Sequence, residues 1–172
     1  MDPVTVSLAA GSATLAGLAV LTALRRRRPA TPVLDLSIAI APDTVRPGDE
    51  VKVILTGRVA RNAPGLERAE ASLRCTHTYP VKFTAKPGEK FRSEAEVSAM
   101  TILAEDRDLE PGALEIKGSL RIPRDAEPTG DRPLKGYDDP QSYAWEVEAH
   151  LELEGGARVR PPRVPIVIKS KA

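Results

Sequence analysis

Between Ser142 and Glu154 the chain reads SYAWEVEAHLELE, and this alternation constrains the fold more than any other stretch. Tyr143, Trp145, Val147, Ala149, Leu151 and Leu153 alternate with Ala144, Glu146, Glu148, His150, Glu152 and Glu154. An extended strand sends successive side chains to opposite faces, so one face is apolar and the other carries four carboxylates. Such a strand belongs to an antiparallel sheet covered on one side and wet on the other. Tyr143, Trp145, Val147, Leu151 and Leu153 are therefore expected in the core.

The same period of two recurs through the rest of residues 33–169. Leu34, Leu36, Ile38 and Ile40 mark a first strand. Val51, Val53 and Leu55 mark a second, running to about Arg61, and Ala69, Ala71, Leu73 and Cys75 a third. Tyr79–Ala85 is expected as a fourth. Turn sequences separate them: PDTVRPGD at 42–49, NAPG at 62–65 and KPGE at 86–89.

Farther on, Phe91, Ala95, Val97 and Ala99 hold odd positions, whereas Met100, Ile102 and Ala104 hold even ones. A change of phase needs an inserted residue, so a bulge is expected near Ala99. Leu114, Ile116, Leu120 and Ile122 follow in one strand, and residues 123–140 read as a long polar loop. After Gly155-Gly156, the last strand carries Val164, Ile166 and Ile168 in phase. Pro161, Pro162 and Pro165 cannot donate ladder hydrogen bonds, which places its first half at a sheet edge. About eight strands with no helical period among them predict an all-β antiparallel sandwich over 33–172.

The N-terminal region follows different rules. No charge lies between Asp2 and Arg25, and Val4–Leu24 is 21 residues long. As a helix it spans ~32 Å, matching a hydrocarbon core of about 30 Å. Val4, Leu8, Leu15, Leu18, Leu21 and Leu24 supply its bulk, and Arg25, Arg26, Arg27 and Arg28 follow directly. A secretory signal carries its basic residues at the opposite end, so an uncleaved anchor over 1–28 is expected. Positive residues stay cytoplasmic, which puts the N-terminus outside and, beyond a linker at 29–32, the sandwich inside. The arginines then form a stop-transfer collar against anionic lipid rather than a nucleic-acid patch. Ala9, Ala13 and Gly17 recur every fourth residue, a small-residue face on which a second helix can pack. An alanine-rich span also produces such spacing by chance, so homo-oligomerisation stays an open reading.

Charge and motifs limit the chemistry. The chain has a formal charge of +1, and its positive excess sits in the arginine run. The remaining body is nearly neutral, which argues against nucleic acid as a partner. Cys75 is the single cysteine, so no internal disulfide is possible. With one cysteine and two histidines, Cys75 and His77 fall short of a zinc ligand set. His150 stands between Glu148 and Glu152 on the wet face, and a Cys75–His150 nucleophile pair has no supporting local signature. Glu105, Asp106 and Asp108, with Asp138 and Asp139, lack calcium-loop spacing. No catalytic constellation, metal or cofactor is expected. The basic C-terminal strand, with Arg158, Arg160, Arg163, Lys169 and Lys171, is expected to pair with the glutamates of 146–154 in preference to lying on lipid.

The order of motifs resembles arrestin-like domains. Val45-Arg46-Pro47-Gly48-Asp49-Glu50-Val51 is similar to their opening Pro-Gly turn, and Pro111-Gly112 precedes a strand ending Leu120-Arg121-Ile122-Pro123. Pro128-Thr129-Gly130, Tyr143-Ala144-Trp145-Glu146-Val147 and Pro165-Ile166-Val167-Ile168 complete the series. The pattern looks most like bacterial and archaeal sporulation-control relatives. Arrestins carry two such domains in tandem, and this chain has room for one. The resemblance implies a protein-binding or scaffolding module without catalysis. Its partner would be another membrane or membrane-associated protein. Sheet edges and the 123–140 loop, with Asp125, Thr129, Lys135 and Tyr137, are the expected contact surfaces. The competing reading is an exported Ig-like sandwich that binds envelope polymer or carbohydrate.

Overall fold

The computed structural model describes residues 32–82 and 89–170. The expected span Val4–Leu24, its pairing face and the Arg25–Arg28 collar lie outside them. Among the described residues no helix is long and apolar enough to cross a membrane. All regular structure is β: β1 (Val33–Ala41), β2 (Thr44–Val45), β3 (Glu50–Val59), β4 (Leu66–Pro80) and β5 (Phe91–Arg107). Then come β6 (Gly112–Arg121), β7 (Gly130–Arg132), β8 (Gln141–Leu153), β9 (Ala157–Val159) and β10 (Val164–Ile168).

The strands form two sheets. A three-stranded sheet has the order β1-β3-β6, and a larger one runs β2-β10-β8-β4-β5. β7 and β9 also pair with β8, on either side of its junction with β10. All pairings are antiparallel except the short β10–β2 contact. The inner faces meet in one apolar core. Val51, Val53 and Leu55 of β3 and Ile116 and Leu120 of β6 face Leu73, Val147, Leu151, Leu153 and Ile166 of the larger sheet. Alternate positions of β8 are buried as its sequence predicts, with Trp145, Val147, Leu151 and Leu153 inside. Tyr143 is only half-buried, because β8 continues past the end of the smaller sheet.

Three local readings change. The third expected strand and the first two residues of the fourth, Tyr79 and Pro80, form a single strand, β4; residues 83–85 of the expected fourth strand and 86–88 of the KPGE turn lie outside the described residues. β4 lies between β8 and β5, where Ala69 and Ala71 are fully buried. Side-chain burial there outweighs the weak β preference of alanine. Within the expected 123–140 loop, Gly130–Arg132 pairs with Gly130 opposite Tyr143 and Arg132 opposite Gln141. The third concerns β5.

The expected bulge is present at Ser98, which has no partner between the pairs Leu73–Ala99 and Arg74–Val97. A second falls at Leu103, between Ala69–Ala104 and Glu70–Ile102. The first bulge puts Val97, Met100 and Ile102 on one face, as the phase change requires. That face is the outer one, shared with Arg74, Ser72 and Glu70 of β4. Leu103 turns inward to lie over Gly118 of β6, where the missing Cβ leaves a notch for it. This contact joins the two sheets along one side of the sandwich.

Core packing and edge exposure give opposite expectations for truncation. Leu55→Ala and Leu151→Ala each remove a fully buried side chain and should lower the unfolding free energy by about 2–5 kcal/mol. Met100→Ala should change it by less than about 0.5 kcal/mol. Urea unfolding of the full chain, followed at Trp145, measures all three; equal losses would contradict the inside–outside assignment.

Candidate functional site

Apart from Pro111-Gly112, which opens β6 at the opposite end beside Val59, the motifs that carry the family resemblance meet at one end of the sandwich. The Pro47-Gly48 turn is pinned by Gly48 N–H donating to the Ile122 carbonyl at 3.1 Å and Ile122 N–H donating to that of Asp49 at 2.9 Å. Gly48 has φ +95°, a left-handed conformation that glycine adopts without strain. Asp49 Oδ2 accepts from Arg46 N–H at 2.8 Å, closing the turn. Thr129 N–H donates to the Ile168 carbonyl, and Ile168 N–H donates to Thr129 Oγ1, both at 2.8 Å. Trp145 Nε1–H donates to the Glu127 carbonyl at 2.8 Å. These residues are fasteners that hold the 123–130 segment against β8 and β10.

The candidate loop residues therefore divide. Thr129 is a structural tie, although it lies at the surface. Asp125 is exposed at a cleft near Cys75, whereas Tyr137 lines a different one with Lys82 Nζ 4.7 Å from its ring centroid. Lys135 is exposed. The four do not form a single contact surface.

The carboxylate face of β8 is half-covered instead of freely solvated. Arg163 holds Glu146 at 3.4 Å and Glu148 at 3.0 Å, and Arg158 holds Glu152 at 2.8 Å. The expected pairing with the C-terminal basic residues is thus present for Arg158 and Arg163. The Arg158 hydrogen bond keeps the Glu152 carboxyl below its ordinary value. Sequence reading missed the contribution of β4: Glu70 is buried and lies 3.1 Å from Arg68 and 3.3 Å from His150 Nε2. The only clue was Glu70 at an even position beside a buried alanine run, and it becomes informative once the β4–β8 register is known.

Cys75 and His77 share the inner face, as an extended strand requires, but have different surroundings. His77 stacks on Tyr143 at 4.4 Å and nearly parallel, and its Nε2 is 3.0 Å from Gln141 Oε1. Cys75 stands opposite Trp145, while His150 projects from the other face of the sheet, so no Cys75–His150 pair exists. Burial, reinforced by the charges of Glu96 and Glu127, pushes the Cys75 thiol from 9.0 up to about 11. A protonated thiol is a poor nucleophile. Asp106 and Asp108 line one cleft and Asp138 and Asp139 another. Among the described residues no group of three or more potential metal ligands occurs.

The surface with an unmet capacity is the free edge of β5. β5 pairs with β4 alone, and its other side makes no backbone hydrogen bond to a strand among the described residues. Along its outer face run Phe91, Val97, Met100 and Ile102, exposed by 42%, 52%, 62% and 49%. On its inner side a cleft of about 290 Å³ is lined by Glu96, Asp125, Glu127, Cys75, Tyr143 and Trp145, among others. Apolar side chains in line along an unpaired strand are a recognised interaction feature.

Two outcomes follow from these contacts. Thr129→Val leaves the Ile168 N–H without its acceptor and should destabilise the chain by about 1–3 kcal/mol in urea unfolding. The raised Cys75 value means that its contribution to stability is complete below pH 9 and is lost as pH rises toward 11. The melting temperature should therefore fall more steeply over that window in the native chain than in Cys75→Ala. A parallel fall in both would refute the assignment.

No known protein family and no curated protein matches this sequence. Among solved structures, the fold is similar to that of the sporulation control protein Spo0M from Bacillus subtilis, with a TM-score of 0.58 at 14% identity. The similarity covers 79% of this chain and 49% of that one, so the chain spans about half the length of its structural relative. At that identity the likeness concerns the fold alone: the described residues form an arrestin-like β-sandwich.

Proposed function

We propose that the chain is a single-span membrane protein displaying a cytoplasmic, non-catalytic protein-binding module. It acts as a scaffold, adaptor or accessory subunit of a membrane complex. The observation that carries the binding role is the free β5 edge with its line of exposed apolar side chains. Val97, Met100 and Ile102 are already about half covered, so a partner that buried the rest would gain roughly 1 kcal/mol for each side chain. The surface is therefore suited to being covered. The anchor rests on the uncharged Val4–Leu24 stretch and its following arginines.

Two measurements test this reading together. A reporter fused after Ala172 should be active only in the cytoplasm, with the chain resisting extraction by a high-salt wash. Gentle detergent extraction of the full chain should then recover a membrane or membrane-associated protein in stoichiometric amount. An exported reporter would overturn the topology and favour the extracytoplasmic, polymer-binding alternative. Recovery of the lone chain would overturn the accessory role.

A further inference from the structure

We infer that the free edge of β5 takes an extended segment of its partner as an added strand, and that this segment alternates basic with apolar residues. The inference rests on the protein-binding reading above and specifies the surface and the chemistry of its occupant. Strand addition supplies affinity through main-chain hydrogen bonds, and selectivity comes from side chains that alternate between the two faces.

On the outer face, alternate side chains of an added strand would meet Val97, Met100 and Ile102. These favour apolar partners across the pair. On the inner side, the intervening side chains would meet Glu94 and Glu96, opposite His77 and Cys75 in register, and beyond them the 123–127 segment with Asp125 and Glu127. Glu127 is already matched by Arg132 at 2.5 Å. Glu96 and Asp125 have no ion-pair partner among the described residues, and the lining of this cleft includes no basic side chain. The protonated Cys75 thiol adds no charge of its own. The cleft is thus acidic over an aromatic floor of Tyr143 and Trp145, and an arginine or lysine side chain complements both.

The charge pattern also argues against a second copy as the occupant. β5 carries Glu94, Glu96, Glu105 and Asp106 against Arg92 and Arg107. A second copy would bring the same excess of carboxylates, four against two arginines, to the shared edge. The bulges at Ser98 and Leu103 further interrupt a regular self-template.

The test uses the full chain in detergent micelles and a fluorescein-labelled peptide of about ten residues alternating arginine and valine. Saturable binding by anisotropy is expected, with amide protection of Ala95–Ile102 rising on peptide addition in hydrogen exchange. The double variant Val97→Lys/Met100→Lys and the single variant Glu96→Lys should each weaken binding at least tenfold while retaining the native melting temperature. A glutamate–valine peptide should bind at least tenfold more weakly. Equal binding of the two peptides, undiminished binding by the double variant or unchanged β5 protection would each overturn the proposal. So would a β5-dependent dimer that excludes the peptide. Because protection is read on the native chain, the result stands even if a variant fails to fold. Co-purification of a membrane partner without peptide binding would sink strand addition alone and leave the broader function intact.

Discussion

The long pairing of β4 with β8 decides which side of every neighbouring side chain is interior. It runs from Leu66–Leu153 to Thr78–Ser142 and places Leu73 beside Val147, Ala71 beside Ala149 and Ala69 beside Leu151 on one face. The small residues at Ala71 and Ala149 leave room beneath the facing sheet, and larger neighbours fill the flanks. A slip of one residue would bury the Arg68, Glu70 and Arg74 side and expose the leucines. Each wrong register therefore forfeits apolar burial and strands several charges. That double cost, more than any single contact, makes the larger sheet unique.

The same register accounts for the outer face. Once Glu70 lies beside His150, and Ser72 beside Glu148, the carboxylates of β8 have basic residues on both flanks: Arg68 and Arg74 from β4, Arg158 and Arg163 from the C-terminal segment. Partly exposed ion pairs of this kind each contribute little to stability. Their larger effect is selective, since they penalise any arrangement that separates them. The polar ladder reaches β5 through Arg68–Glu105, but between Phe91 and Ile102 the outer face of β5 carries no charge. This boundary between matched charge and unmatched hydrocarbon distinguishes one edge of the sandwich from the remainder.

Much of this was legible in residue order. The alternation of 142–154 named the β8 core positions, and the phase change after Ala99 announced a bulge. The Pro-Gly, Ile-Pro and Pro-Thr motifs pointed to the right fold because each makes a specific tie: Gly48 to Ile122, Thr129 to Ile168. Long-range geometry was not legible. Period-two reasoning groups Val97, Met100 and Ile102 on one face but is silent about which face, since that depends on the partner strand and not on β5 itself. Alanine's weak preference concealed the continuity of β4, whose order comes from burial between two neighbours. The pairing of Glu70 with His150 joins residues eighty positions apart, and no local pattern records it. The 123–140 segment looked like a uniform contact loop because composition does not distinguish a residue such as Thr129, which fastens the fold, from Lys135, which is exposed.

An edge strand is hazardous when it templates any chain that meets it, and useful when it admits only one kind. β5 combines features that normally blunt an edge, namely two bulges and an acidic inner side, with an apolar outer face that invites contact. If its purpose were protection alone, the outer face would carry charge, as that of β8 does. If indiscriminate pairing were tolerated, the carboxylates would be absent. The combination instead penalises self-pairing while leaving room for a basic, alternating segment, so discrimination lies in what the edge repels as much as in what it attracts. Strand addition at an edge interrupted by two bulges is intrinsically weak. The proposed anchor compensates for that weakness, because confining both partners to one membrane raises their effective concentration at the edge. A weak, selective edge and a membrane tether are then complementary parts of one device.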